Sequence, residues 1–201
     1  ADSPWKYRLT HAMNVVKRVD AWVTLTGQDA GEGLHEVTEF DYHDGFYDGV
    51  EKQFRGFAKV ERRLLAEMDR DSQEPGMTHF EYDVGAGDAY RNALVLSQQE
   101  FGGLDGTTPL RQTTIEYDEC PLEGVDNDKT TRDVRYVCET ARQETLQEGA
   151  TESAWANVRT ENEYDGYGNI ARASRLGVVH MGTADAPEAC GACAGAKGAF
   201  G

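Results

Sequence analysis

Residues 78–84, Thr-His-Phe-Glu-Tyr-Asp-Val, alternate without a break, with Thr78, Phe80, Tyr82 and Val84 on one side and His79, Glu81 and Asp83 on the other. A period of two belongs to a strand, and aromatics opposed by acids describe a strand with one packed face and one wet face. Similar alternation occurs in Val15 to Leu25 (Val15, Val19, Ala21, Val23, Leu25), in Thr38-Phe40-Tyr42, in Ile115-Tyr117 and in Val134-Tyr136-Cys138. Turn signals separate these runs: Asp44-Gly45, Asp48-Gly49, Pro75-Gly76, Gly85 and Gly87, Gly102-Gly103, Asp105-Gly106, Gly124, Asp165-Gly166 and Gly168-Asn169. Strands joined by short turns predict an all-β fold of twisted antiparallel hairpins. Residues 58–70, with Val60, Leu64 and Met68 at four-residue spacing, and residues 139–149 could instead be helical.

A triplet of Glu, aromatic and Asp recurs in these runs, as Glu39-Phe40-Asp41, Glu81-Tyr82-Asp83, Glu116-Tyr117-Asp118 and Glu163-Tyr164-Asp165. In each, the aromatic is expected on one sheet face and the acids on the other. A following Gly or Asn is expected to take the left-handed conformation that turns the chain. The intervals between triplets are too uneven for the equal blades of a propeller, but they suit a sheet that winds onward with hairpins of varying length. Phe40, Phe80, Tyr82, Tyr117, Tyr136 and Tyr164 are expected to stack strand on strand.

Val, Ile, Leu and Phe supply 36 of 201 residues, under the roughly 20% at which a charged chain is suspected of disorder. Nine Tyr, seven Phe and three Trp in alternating patterns argue for a thin, aromatic-rich layer. With 20 Lys and Arg against 36 Asp and Glu, and a net charge of −16, neither nucleic acid nor an anionic membrane is an expected partner. The acids serve to keep solvated strand faces soluble and edges unpaired. No stretch has the length of a membrane span, and no apolar run preceded by basic residues resembles a signal peptide, so export cannot be read locally. The opening ADSPW without Met and the closing AGAKGAFG suggest that both ends are cuts from something larger.

Chemical motifs are few. Phe54-Arg55-Gly56-Phe57 could clamp a ligand, but it also reads as a strand in which Gly56 marks a bulge, the two Phe rings pack on opposite sides and Arg55 pairs with a carboxylate. Asp126-Asn127-Asp128 followed by Asp133 invites calcium, yet lacks the central Gly of an EF-hand and places Val137 at position twelve. Cys190 and Cys193 form a CxxC turn, which can hold zinc, cycle redox or close a disulfide. Cys120 and Cys138 sit near the ends of two strand candidates, the order expected of a stapled hairpin. Disulfides, free thiols and zinc across the four cysteines all remain open, and no other cofactor is indicated. His43 and His79 lie beside repeat strands, where they would face solvent or an acid. No nucleophile elbow, zinc-protease, phosphate-loop or dinucleotide motif occurs, so no catalytic residue is assigned.

The stretch NEYDGYGNI, residues 162–170, resembles the tyrosine-aspartate repeat of Rhs proteins, in which an aromatic-Asp pair precedes Tyr167-Gly168-Asn169. Residues 41–61, DYHDGFYDGVEKQFRGFAKVE, resemble a segment of the B component of bacterial Tc toxin complexes that reads approximately Y-H-x-G-Y-Y-D-G-x-E-R-E-F-R-G-F-G. Tyr42, Asp48, Gly49, Phe54, Arg55, Gly56 and Phe57 carry this second match, and Lys52-Gln53 and Ala58 depart from it. Upstream, PWKYRLTHAMNVVKRVD is similar to a proline-led stretch of the same family. The resemblance runs from about Pro4 to about Val179, which divides the chain into a shell-like segment, 1–180, and a Cys/Gly/Ala-rich tail, 181–201.

The resemblance implies a noncatalytic piece of a large secreted protein whose strands spiral into a hollow shell around a C-terminal toxic effector. Its partners would be the rest of its own polypeptide, the enclosed effector, and a translocation channel reached through a propeller that has no counterpart here. The family's aspartyl self-cleavage site also has none. Tyr82-Asp83, Tyr117-Asp118 and Tyr164-Asp165 would be repeat positions of the wall. An extracellular YD-repeat adhesin or carbohydrate-binding module is the alternative.

Overall fold

The alternating runs become strands, and each strand pairs antiparallel with the next in sequence. The computed structural model describes residues 5–7, 9–23, 34–65, 75–107, 109–124, 134–147 and 155–177. These contain β1 (Arg18–Val23), β2 (Leu34–Asp48), β3 (Gln53–Leu65), β4 (Gly76–Asp83), β5 (Leu94–Phe101), β6 (Pro109–Cys120), β7 (Tyr136–Leu146), β8 (Ala156–Tyr164) and β9 (Ile170–Leu176). Their spatial order equals their sequence order, so the sheet is an up-and-down meander. The all-β architecture of antiparallel hairpins is the one expected. The only helical turn among the described residues is the short 3-10 segment Ala89–Arg91 between β4 and β5.

Neither helical alternative forms within the described residues. Residues 58–65 lie in β3, where Val60 pairs with Tyr42 on one side and Phe80 on the other. Residues 139–146 lie in β7. Four-residue spacing is a multiple of two, so Val60 and Leu64 share a strand face as readily as a helix face, and ladders on both flanks decide between them. Met68 lies outside the described residues.

Several strand limits also differ from the sequence reading: Val134 precedes β7, which starts at Tyr136, and Gly76, expected in a turn, opens β4. β1 begins only at Arg18, although the preceding chain still follows β2: Lys17 O accepts from Phe40 N at 2.9 Å, and Val16 O accepts from the Tyr42 hydroxyl at 3.0 Å. Leu25 lies outside the described residues. Asp44-Gly45 makes no hairpin turn, because β2 runs straight through it. Asp44 takes φ 56° within the strand, a left-handed conformation that Asp tolerates better than most residues. Gly45 is needed for close approach, since a Cβ there would stand 2.9 Å from Leu9 Cδ1 and from the Phe57 ring.

One layer of sheet buries little. The buried apolar residues are Val37, Met77, Val84, Phe101, Ile115, Cys120, Cys138 and Ala141, and among the described residues no large side chain is sealed completely. Aromatics supply much of the remaining packing. Phe40 stacks along β2 on Tyr42, and Phe80 along β4 on Tyr82, at 6.3 and 6.2 Å. Arg62 lies over the Phe80 ring at 5.6 Å. The expected stacking from strand to strand is realised by Tyr136 and Tyr164, edge to face at 6.0 Å, while the Phe40 and Phe80 contacts run along single strands.

The other face carries cross-strand ion pairs. Arg63 joins Asp41 at 2.8 Å and also contacts Glu61, which meets His79 at 3.0 Å. Arg159 on β8 reaches across β7 to Glu116 on β6, making two bonds of 2.7 and 2.9 Å. Exposed pairs of this kind contribute at most about 1 kcal/mol each, and their larger effect is to fix which strand faces which.

Candidate functional site

The Tyr-Asp pairs mark a repeated irregularity. The pairing register shifts immediately before Tyr47, Tyr82, Tyr117 and Tyr164, always in the first strand of a hairpin. In each case the returning strand carries one extra residue: Arg55, Leu96, Thr140 and Ala171. A bulge of this kind flips the alternation, frees backbone groups from the ladder and increases the local twist. A fifth shift, at Glu100/Phe101 between β5 and β6, lies at the opposite end of the strands.

This geometry corrects the first repeat. Glu39-Phe40-Asp41 sits mid-strand in β2, with no bulge and no turn, and Asp41 spends its carboxylate on Lys17 and Arg63. The structural counterpart of the other three is Phe46-Tyr47-Asp48. A search for Glu before the aromatic missed it because Phe46 occupies that position. With Tyr82-Asp83 and Tyr164-Asp165 it shares a Tyr-Asp at a strand end, which Asp48-Gly49 signals.

The Asp residues close the turns. Asp48 Oδ1 accepts from the amides of Val50 and Glu51 at 2.9 and 3.1 Å, and its Oδ2 takes Arg55 Nε and Nη2 at 3.1 and 2.9 Å. Asp83 accepts from Gly85 N and from Arg91 Nε. Asp165 accepts from Tyr167 N and Asn169 N, both at 2.9 Å. A carboxylate bonding the amide two residues on holds the chain in the turn. Asp118 differs: it accepts from Glu119 N, its immediate neighbour, and β6 continues past it to Cys120.

The left-handed residue of each turn is not always the glycine that follows Asp. Gly85 (φ 67°) and Gly168 (φ 84°) meet the expectation, but in the β2–β3 turn Lys52 (φ 54°) takes the role and Gly49 does not. A non-glycine residue in this conformation costs about 1 kcal/mol. Lys52→Gly is therefore expected to raise the thermal midpoint, the gain being about 0.5 kcal/mol after the entropy cost of a new glycine; an unchanged or lower midpoint would contradict it.

The remaining motif residues gather at the first hairpin. Phe57 lies 4.9 Å from Tyr42, 5.2 Å from Phe54 and 6.3 Å from Trp5, ring centre to ring centre. Phe54 and Phe57 thus pack against each other and not on opposite sides, because the extra residue Arg55 and the positive φ of Gly56 (108°) break the alternation between them. The bulge at Gly56 and the pairing of Arg55 with a carboxylate are as expected, and the Arg55 side chain is only 8% exposed. Tyr7 on Phe46 and His11 on Tyr47 add to these contacts, so that Trp5, Tyr7 and His11 all lie over the hairpin.

Cys120 and Cys138 form a disulfide, Cα to Cα 5.9 Å. Cys190, Cys193, Asp126, Asn127, Asp128 and Asp133 lie outside the described residues. Among the described residues no three His, Cys, Asp or Glu side chains cluster as metal ligands. His79 rests on Glu61 and His35 on Asp20, each at 3.0 Å. What the assembled groups do chemically is hold turns.

Two turn carboxylates, Asp48 and Asp165, and Asp20 on β1 are held ionised by their partners. The amides of Glu51 and Val50, with Arg55, lower the pKa of Asp48; the amide and side chain of Asn169, with the Tyr167 amide, lower that of Asp165; Arg18 and His35 lower that of Asp20 to about 2. A carboxylate with a lowered folded-state pKa stabilises the fold fully above its unfolded value of about 4, and that contribution is lost as pH falls through the folded value. Stability is thus expected to be level from neutral pH down to about 5 and to fall between about 4 and 2. Acid titration followed by tryptophan fluorescence checks this, and an Asp48→Asn, Asp165→Asn double variant is expected to lose stability less steeply. Equal acid slopes for the two proteins would contradict it.

A meander of bulged Tyr-Asp hairpins, one layer thick and carrying one disulfide among the described residues, defines a single-sheet, all-antiparallel class of β protein. Residues 3–78 match the family model described as the insecticide toxin TcdB middle/N-terminal region. No curated protein matches the chain in sequence. Among solved structures, a Tc holotoxin pore of Photorhabdus luminescens is similar at TM-score 0.60 and 16% identity, over 77% of this chain and 10% of that one. TcdB2-TccC3 without its hypervariable C-terminal region matches at TM-score 0.59 and 15% identity, over 75% of this chain and 10% of that one. TcdB2-TccC3 itself matches at 0.58 and 18%, over 69% and 9%. The chain spans about a tenth of the length of the structures it matches. The family model thus covers the first part of the chain, and the solved structures share its fold.

Proposed function

We propose that the chain is a noncatalytic stretch of wall in a secreted Tc-type toxin protein, part of a β-shell that encloses a C-terminal effector. The observation that carries this reading is the single-layer meander itself. Within the described residues β1 and β9 each pair on one side only, as suits a sheet that continues, and few side chains are buried enough for an independent globule. The Tyr-Asp bulges give the sheet repeated twist, which a curved wall requires. The likeness to the TcdB2-TccC3 structures supports the same role, with a TccC-like component as partner. A disulfide on a thin hairpin suits an oxidising, extracellular setting.

The test uses the full-length protein assembled with its partner component, under limited proteolysis with mass spectrometry. Peptides of the C-terminal region are expected to stay protected in the intact assembly and to be released early when Gly56→Val opens the β2–β3 hairpin. Equal release from both proteins would overturn the enclosing role.

A further inference from the structure

The β6–β7 hairpin departs from its neighbours in one respect: its Asp does not close its turn. Asp48, Asp83 and Asp165 each bond the amide two residues on, whereas Asp118 accepts from the adjacent Glu119 amide and the ladder runs two residues past it, to Cys120 opposite Tyr136. β6 ends at Cys120 and β7 begins at Tyr136, the widest sequence interval between the two arms of any of these hairpins, and residues 125–133 within it lie outside the described residues. The covalent bond from Cys120 to Cys138 stands where the carboxylate turn stands elsewhere.

This same tip touches the tips on both sides. Toward β4–β5, Arg91 Nη1 donates to Tyr117 O at 3.3 Å, and Arg135 lies 5.6 Å over the Tyr90 ring and 3.7 Å from Asp88. Toward β8–β9, Glu139 O accepts from the Tyr164 hydroxyl at 2.9 Å and Asn162 Nδ2 at 3.2 Å, Glu123 N donates to Gly166 O at 2.6 Å, and Gly168 sits so near the Tyr136 ring that a Cβ would be 3.3 Å from it. Tyr117 and Glu139 are the pair beside the bulge, where the ladder is interrupted. The β5–β6 ladder stops at Ser97 and Thr114 and the β7–β8 ladder at Ala141 and Glu161, so the carbonyls of Tyr117 and Glu139 stand beyond both and are available to the neighbouring hairpins.

We propose that the Cys120–Cys138 bond is an oxidation-dependent clamp that holds the β6–β7 tip and, through it, the docking of both flanking tips. A dithiol reductant releases the clamp by two exchanges. Its first thiolate attacks one cysteine sulfur and expels the other as a thiolate, and its second thiol then resolves the mixed disulfide. Two electrons and two protons end on Cys120 and Cys138, and the reductant leaves as its own disulfide. Both cysteines are buried, at 7% and 2% exposure, so reduction needs the tip to open and is slow in the folded chain.

Hydrogen exchange read by mass spectrometry tests this on the full chain, comparing the oxidised protein, the same protein after reduction by dithiothreitol, and the Cys120→Ser, Cys138→Ser variant. Reduction is expected to speed exchange at least tenfold in residues 117–120 and 136–139, and also in 88–93 and 165–169, while 112–116 and 143–146 beyond the bulge keep their protection. Unchanged exchange in the two flanking tips overturns the proposal. So does an equal loss of protection across all nine strands, which would make the bond a general brace and not a clamp on the tip row. Reduction of already folded protein gives the answer even if the serine variant fails to fold.

Discussion

Replacing Cys120 and Cys138 together with serine is expected to lower the free energy of unfolding by about 3 kcal/mol. The bond closes a loop with a sequence separation of 18, and most of its effect is to deny the unfolded chain the open conformations of that loop. The loss is large for this fold in particular, because a single layer has few buried aliphatics to compensate. Serine adds a second cost, since both positions are buried and each new hydroxyl must find a partner there. Urea unfolding of the oxidised protein and the variant measures the difference. A loss below about 1 kcal/mol would mean that the hairpin is held by its ladder and its neighbours without the bond.

The other large effect is expected at Gly56, and not at the second glycine of the same motif. Gly56 has φ 108° and no atom within 4 Å of where a Cβ would stand, so its need is conformational and not spatial. Alanine there is expected to cost about 2 kcal/mol, by straining the bulge that lets Arg55 reach Asp48 and Phe54 reach Phe57. Gly49 also has open space but no positive φ, and Gly49→Ala is expected to change stability by less than about 0.5 kcal/mol. Thermal unfolding of the two variants side by side separates them. Equal losses would contradict the assignment of the left-handed positions to Gly56 and Lys52.

Strand existence was legible because alternation is a local property: Thr78 to Val84 could hardly be anything else once Phe80 and Tyr82 had to share a face. Hairpin order followed, since short connections leave consecutive strands little choice of neighbour. One bulge was legible, from Gly56 inside a strand run; the other three were not. They depend on the difference in length between two arms, so the extra residues Leu96, Thr140 and Ala171 become visible only once both arms are paired. That is also why Glu39-Phe40-Asp41 looked like a repeat and Phe46-Tyr47-Asp48 did not. The disulfide was within reach because the two cysteines lay near the ends of neighbouring strand candidates, although Cys138 stands near the start of β7. The contacts of Arg91 and Arg135 with the β6–β7 tip were out of reach, since each joins one hairpin to the next.

The wall reading is tested most directly by electron cryomicroscopy of the full-length protein. The expected map has β1 to β9 as one layer, bulged before Tyr47, Tyr82, Tyr117 and Tyr164, with the free edges of β1 and β9 paired by strands outside residues 18–176 and one face toward an enclosed volume. A map in which both edges stay unpaired, or in which this sheet folds against a second layer as a separate domain outside any shell, would contradict it.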